Sequence, residues 1–267
     1  MGLLDDLRED PVYVPVIGFA KRLFAMQGLR FTITGSEHIP TRGGAVLAIN
    51  HIGYMDFTYA GLACLPSHRR VRFMAKEAVF RHKVSGPLMR GMKHIAVDRA
   101  AGSASIRDAL RALKGGELIG VFPEATISRS FEIKEFKTGA VRMAAAAGVP
   151  IIPIVIWGSQ RVWTKGHPKR LGRSNTPISV TVGEPMTVGK TDDPDEATQR
   201  LRERMIEMLH AAQVAYEPLT GDDRKFLPVR LGGTAPTLEE ATALDRADAA
   251  ARIAARERGD HAPRRRG

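Results

Sequence analysis

His51 and Asp56 stand five positions apart in Ala48-Ile49-Asn50-His51-Ile52-Gly53-Tyr54-Met55-Asp56. Imidazole is the side chain best suited to moving a proton near neutrality. A carboxylate can accept the proton on one ring nitrogen and so fix the tautomer that leaves the other nitrogen basic. Val46 to Ile49 reads as a short buried strand and Met55 onward as a helix, so the pair straddles a strand-to-helix turn. The same spacing also fits a packed or capping histidine followed by a helix-start charge. Spacing alone does not separate the two readings.

Three further places put chemistry where a strand stops or a helix starts. Asp98-Arg99 follows the strand Ile95-Ala96-Val97, Glu124-Ala125-Thr126 follows the strand Leu118 to Phe122 and Pro123, and Lys137 opens a helix. In open α/β sheets the carboxyl ends of strands line the ligand crevice. His51, Arg99, Glu124 and Lys137 can then meet in one pocket, with the cations holding a phosphate. An arginine after a strand is equally an ordinary solvated charge. GxxxxGK[ST], GxGxxG after a strand, GxSxG and HExxH are all absent, so nucleotide-loop, hydrolase-elbow and zinc-protease readings have no anchor. His51, His68, His82 and His94 lack ligand spacing, and no metal is expected.

The elements that must position these residues follow from periodicity. Strands are expected at 29–34, 45–49, 71–75, 95–97, 118–122, 151–156 and 177–182. Helices are expected at 55–65, 103–113, 137–147 and 197–216, with short helical segments near 77–84 and 87–92 and a surface helix within 234–258. The amphipathic signature is clearest at Ile106, Leu110 and Leu113. Asp192 to Asp195 sits at a helix start, where acid complements the dipole. This alternation makes an α/β chain with a mostly parallel or mixed central sheet flanked by helices. The uneven lengths between strands argue against a regular barrel.

The 267 residues suffice for a large core, and 43% of them are apolar. A net charge of +11 points to an anionic partner: a phosphorylated metabolite, an acidic membrane surface or nucleic acid. Nucleic acid is disfavoured, because it rests on charge alone and no recognition motif supports it. Cys64, the single cysteine, excludes an intrachain disulfide and reads as an inert small hydrophobe. Met1 to Asp10 lacks the basic start of a secretory leader, and no run of 18 uncharged apolar residues occurs. Val12, Tyr13, Val14, Val16, Ile17, Phe19, Leu23, Phe24 and Met26 crowd one span, interrupted by Lys21-Arg22. Such a span suits one or two short helices lying on a bilayer, or the cap of the core. The loop 157–173 carries Arg161, Lys165, Lys169, Arg170 and Arg173 and no acid.

Taken together, Asn50-His51 with Asp56 resembles the HxxxxD motif of glycerolipid acyltransferases, nearest to the 1-acylglycerol-3-phosphate acyltransferase (PlsC-like) family. Ile95 with Asp98-Arg99 resembles that family's second block, Phe122-Pro123-Glu124-Ala125-Thr126 its third, and Val149-Pro150-Ile151-Ile152-Pro153 its fourth. The blocks span residues 29–183 in order. The resemblance implies that His51 is the general base on an acceptor hydroxyl, that Asp56 orients it, and that Arg99, Glu124, Thr126 and, secondarily, Lys137 bind substrate. It implies no cofactor; the donor is a long-chain acyl-CoA or acyl-carrier protein, and the acceptor a phosphorylated glycerolipid.

Two departures bear on the acceptor. Ala125 replaces the usual glycine, which is tolerable if the backbone there is not left-handed. Ile127 stands where an arginine commonly follows the threonine, and Arg129 is the candidate replacement unless the phosphate is held differently. The acceptor of first choice is 1-acylglycerol 3-phosphate. Glycerol 3-phosphate, another lysophospholipid or a glycolipid are alternatives, as is a non-catalytic protein binding anionic lipid. Residues 1–28 are expected to form an amphipathic membrane-associating region, 29–220 the acyltransferase domain, and 221–267 a C-terminal extension disordered at 259–267. This implies a peripheral or monotopic protein on the cytosolic face of the cytoplasmic membrane, with an apolar groove for the acyl chain lined by Phe57, Phe73, Phe80 and Met89.

Overall fold

The computed structural model describes residues 10–97 and 102–257. Asp98 and Arg99, and the readings made for 1–9 and 258–267, lie outside the described residues. The strands are β1 (Arg30–Thr34), β2 (Ala45–Ile49), β3 (Val71–Lys76), β4 (Ile95–Val97), β5 (Leu118–Val121), β6 (Ile151–Trp157) and β7 (Pro177–Val182). They form one mixed seven-stranded sheet in the order β1-β7-β6-β2-β5-β3-β4. Among the described strands, only the β6–β7 pairing is antiparallel. The helices are α1 (Tyr13–Met26), α2 (Asp56–Ala63), α3 (Glu77–Arg81), α4 (Ser85–Gly91), α5 (Gly102–Lys114), α6 (Gly139–Ala147), α7 (Pro194–Val214) and α8 (Leu238–Glu257).

Strand β2 lies between two parallel neighbours, and all five of its residues are buried. Side chains alternate between the faces of a strand. Val46 and Ala48 therefore join a core with Ile119, Ile151, Leu113, Val141, Leu201, Met205 and Leu209, under α5, α6 and α7. Ala45, Leu47 and Ile49 join a second core with Phe24, Tyr59, Ala60, Ile152 and Ile154, under α1 and α2. Burial on both faces explains why these strands are apolar without alternation. Cys64 belongs to the second core, where burial pushes its thiol up to about 12.

The N-terminal apolar span forms one helix, anchored by Tyr13, whose hydroxyl donates to the Val71 carbonyl at 2.8 Å. Helix α7 begins at Pro194, three residues before the expected start. Asp193 caps it by accepting from the Asp195 and Glu196 amides at 2.7 and 3.2 Å. No helix among the described residues is long and apolar enough to cross a membrane.

Candidate active site

The buried β2 ends at Asn50, whose side chain donates to the Ile156 carbonyl at 3.0 Å and accepts from the Ile156 amide at 2.7 Å. This pairing continues the β2–β6 ladder by one residue and fixes where the chain turns. His51 follows, at the carboxyl end of the central strand. Its Nδ1 lies 3.0 Å from Asp56 Oδ2. A carboxylate oxygen accepts, so Nδ1 carries the hydrogen and Nε2 presents a lone pair. The His51 ring stacks on Phe122, with centroids 4.1 Å apart and planes 25° from parallel.

Asp56 is wholly buried, and its side chain turns backward rather than capping its own helix. Oδ2 also accepts from the Ile52 and Gly53 amides, each at 2.8 Å. Oδ1 accepts from Ser159 Oγ at 2.5 Å. Four donors thus hold the carboxylate in one orientation, which overturns the helix-start reading. Gly53 is required by the closeness of this turn: a Cβ there would lie 2.9 Å from Ser159 Oγ and 3.2 Å from Asp56 Oδ1.

The loop after β5 grips the His51 main chain from the other side. Glu124 Oε1 accepts from the His51 amide at 2.8 Å, and the Ser128 amide donates to the His51 carbonyl at 2.7 Å. Glu124 Oε2 accepts from the Lys134 amide at 3.1 Å. Both Glu124 oxygens therefore serve backbone amides, and its carboxyl acts on the site through the main chain. Burial pushes that carboxyl up to about 8, opposed by the two amide hydrogen bonds and the Lys134 charge. Ala125 has φ of 59°, so the backbone is left-handed at the position where a glycine was expected. That conformation costs a non-glycine residue about 1 kcal/mol or more.

Thr126, Lys137 and Arg129, the other expected site residues among those described, have different partners. Thr126 Oγ1 accepts from Lys165 Nζ at 2.8 Å. Lys137 is exposed and lines an open cleft with Glu124, Lys134, Arg202 and, from α8, Arg246. Ile127 is buried. Arg129 is held by α8, with Nη2 2.7 Å from Asp248 Oδ2 and Nε 3.7 Å from Asp245 Oδ1. Much of the basic loop is matched internally. Arg161 pairs with Glu217 and Asp223 at 2.8 and 2.9 Å, and Arg170 with Asp223 at 2.9 Å. Lys169 lies 4.2 Å over the Trp163 ring.

An apolar cavity opens between α1 and α2, lined by Val16, Ile17, Phe57, Leu62, Phe73 and Met92 among others. Of the four residues expected to line an acyl groove, Phe57 and Phe73 line this cavity and Phe80 and Met89 do not. Rings connect it to His51: Phe73 stacks 6.5 Å from Phe122, which stacks on the imidazole. Ser159 and Thr164 escaped the sequence reading, and Lys165 was read only as one charge of a basic loop. Thr164 Oγ1 donates to the Ile52 carbonyl at 2.7 Å, steadying the turn between His51 and Asp56. No local pattern marks these residues; they reach the site because β6 neighbours β2.

Residues 30–157 match a protein family described as Acyltransferase. A 1-acyl-sn-glycerol-3-phosphate acyltransferase of Bacillus subtilis is 30% identical over 158 residues, 58% of this chain and 72% of that protein. One from Cocos nucifera is 30% identical over 217 residues, 79% of this chain and 65% of that protein. The crystal structure of the 1-acyl-sn-glycerophosphate (LPA) acyltransferase PlsC from Thermotoga maritima matches with a TM-score of 0.64. It covers 79% of this chain and 85% of that one at 23% identity, a likeness of fold. The matched family segment runs from β1 through β6 and so contains the whole His51–Asp56 turn and the loop that clamps it. The chain belongs to the 1-acylglycerol-3-phosphate acyltransferase (PlsC-like) family of glycerolipid acyltransferases.

Proposed function

We propose that the chain transfers a long-chain acyl group from a thioester, acyl-CoA or acyl-carrier protein, to the free hydroxyl of 1-acylglycerol 3-phosphate. The observation that carries this reading is the His51 ring, fixed at Nδ1 by Asp56 and stacked on Phe122 at the end of the central strand. The names of the relatives support the choice of acceptor. His51 Nε2 takes the hydroxyl proton as the oxygen attacks the thioester carbonyl. The tetrahedral oxyanion collapses, the carbon–sulfur bond breaks, and the imidazolium returns the proton to the leaving thiolate. The products are an ester and a free thiol, with no covalent enzyme intermediate. Asp56 stabilises the imidazolium and holds the ring in register. Arg99 is proposed to bind substrate.

The apolar cavity behind Phe122 and Phe73 takes the acyl chain, since it is lined almost wholly by hydrocarbon. Both substrates partition into bilayers, and α1 offers a surface for one. Pro15, Phe19, Arg22 and Met26 recur at helical spacing on its exposed side, with Phe19 and Met26 at 68% and 74% exposure. The reading is therefore of a peripheral membrane enzyme that rests on α1.

The test is a panel of labelled long-chain acyl-CoA and acyl-carrier protein against 1-acylglycerol 3-phosphate, glycerol 3-phosphate, other lysophospholipids and a glycolipid acceptor. Transfer to 1-acylglycerol 3-phosphate with the highest kcat/KM is expected. His51→Ala should lower it by roughly 10²–10⁴-fold without loss of folding. Transfer to none of these acceptors, or full activity in His51→Ala, would sink the reading.

A further inference from the structure

Away from the His51–Asp56 pair, charges converge on one carboxylate of α8. Asp245 Oδ2 lies 2.5 Å from Lys134 Nζ, and its Oδ1 lies 2.9 Å from Lys165 Nζ and 3.7 Å from Arg129 Nε. The three cationic side chains are only 12–18% exposed, and Asp245 is 14% exposed. Asp248 takes the other end of Arg129 at 2.7 Å. The match is incomplete: Arg129 Nε is buried and makes no hydrogen bond. A buried donor left unpaired is costly, and a planar carboxylate with two oxygens, already facing two ammonium groups, does not satisfy it. A phosphomonoester offers three terminal oxygens and up to two negative charges, which suits three cations better.

The position of the cluster ties it to the reaction. Its cations stand on the two loops that hold the His51 turn. The Lys134 amide donates to Glu124, which in turn accepts from His51, and Lys165 donates to Thr126 and follows Thr164, which donates to Ile52. The acid that covers the cations comes from α8, which lies beyond the matched family segment.

We propose that Arg129, Lys134, Lys165 and Thr126 form a phosphomonoester site, that Asp245 occupies it in the resting chain, and that the phosphorylated acceptor displaces α8. The proposal rests on the acyltransferase reading for its substrate, and α8 then acts as a self-inhibiting strap that competes with the acceptor headgroup. Lifting the strap requires the ligand to prefer the open state, so the apparent affinity for acceptor is reduced by the fraction of chain that is closed.

Two measurements on the full chain test this. Asp245→Asn with Asp248→Asn should lower KM for 1-acylglycerol 3-phosphate at least about 5-fold. The same change should leave KM for uncharged monoacylglycerol unmoved. In the wild-type chain without donor, hydrogen exchange at 238–250 should quicken with 1-acylglycerol 3-phosphate and stay unchanged with monoacylglycerol. Millimolar inorganic phosphate separates the ligand sources: quickening with it assigns the site to phosphate itself, and quickening only with the lipid assigns it to the headgroup in its lipid setting. An unchanged or raised KM in the variant, or unchanged exchange with the phosphorylated lipid, would overturn the strap. If the variant fails to fold, the wild-type exchange decides alone. Quickened exchange without acyl transfer would keep the strap and remove the acyltransferase reading; transfer without quickening would do the reverse.

Discussion

At the scale of single residues, the site is built by backbone amides as much as by side chains. Asp56 is useful to His51 because two amides and Ser159 hold it, leaving little freedom for the imidazole to drift. Asp56→Asn keeps the shape but places an NH₂ among donors, so one contact becomes repulsive and the tautomer of His51 is no longer dictated. We expect kcat to fall roughly 10²–10⁴-fold with far less change in KM, measured by steady-state acyl transfer. Ala125 carries a cost the site does not need. Its left-handed backbone suits glycine, so Ala125→Gly should raise the unfolding free energy by about 1 kcal/mol, less the entropy glycine gains in the unfolded chain. Urea denaturation reads this, and a midpoint at or below that of wild type would show that the strain is absent.

At the scale of elements, α1 and the α4–β4 junction are joined to β3 by buried polar contacts. His94 precedes β4 and accepts the Phe73 amide through Nδ1 at 3.0 Å, with Tyr13 packed edge-on at 5.8 Å. Burial, helped by the Arg72 charge, lowers its value from 6.5 to about 4. A histidine whose folded value lies below its unfolded value contributes stability that is fully present above 6.5. Between 6.5 and 4 the unfolded chain binds more protons, so stability falls as pH falls. Denaturation at pH 7 and pH 5 should show a loss for wild type that shrinks in His94→Gln, whose side-chain oxygen can still accept the amide. Equal losses would exclude His94 as the source.

At the scale of the whole molecule, the charge of +11 is distributed unevenly. Arg161, Lys165 and Arg170 in the basic loop face acids from the C-terminal third, so that stretch is held to the body and not wholly free for lipid. The exposed apolar side of α1 is the better candidate for the bilayer contact. Phe19→Asp with Met26→Asp should weaken binding to anionic vesicles by at least about tenfold while leaving the melting temperature within a few degrees, because both side chains stand in solvent. Vesicle co-sedimentation unchanged by the pair would place the membrane contact elsewhere.

The short-range features were legible in the residues. Strand β2 was expected at 45–49 and is found there, because a five-residue apolar run bounded by Gly44 and Asn50 carries its own limits. The His51–Asp56 contact spans five positions across one turn and follows from local geometry. Its firmness does not. Ser159 reaches Asp56 across 103 positions, Glu124 reaches the His51 amide across 73, and Asp245 reaches Lys134 across 111. Which of these meet is decided by strand order and by where α8 packs. No window of sequence contains that information, since it depends on burying two faces of one sheet at once. The same reason separates Arg129 from its expected role: its charge was readable in the chain, but its partner came from a helix more than a hundred residues away.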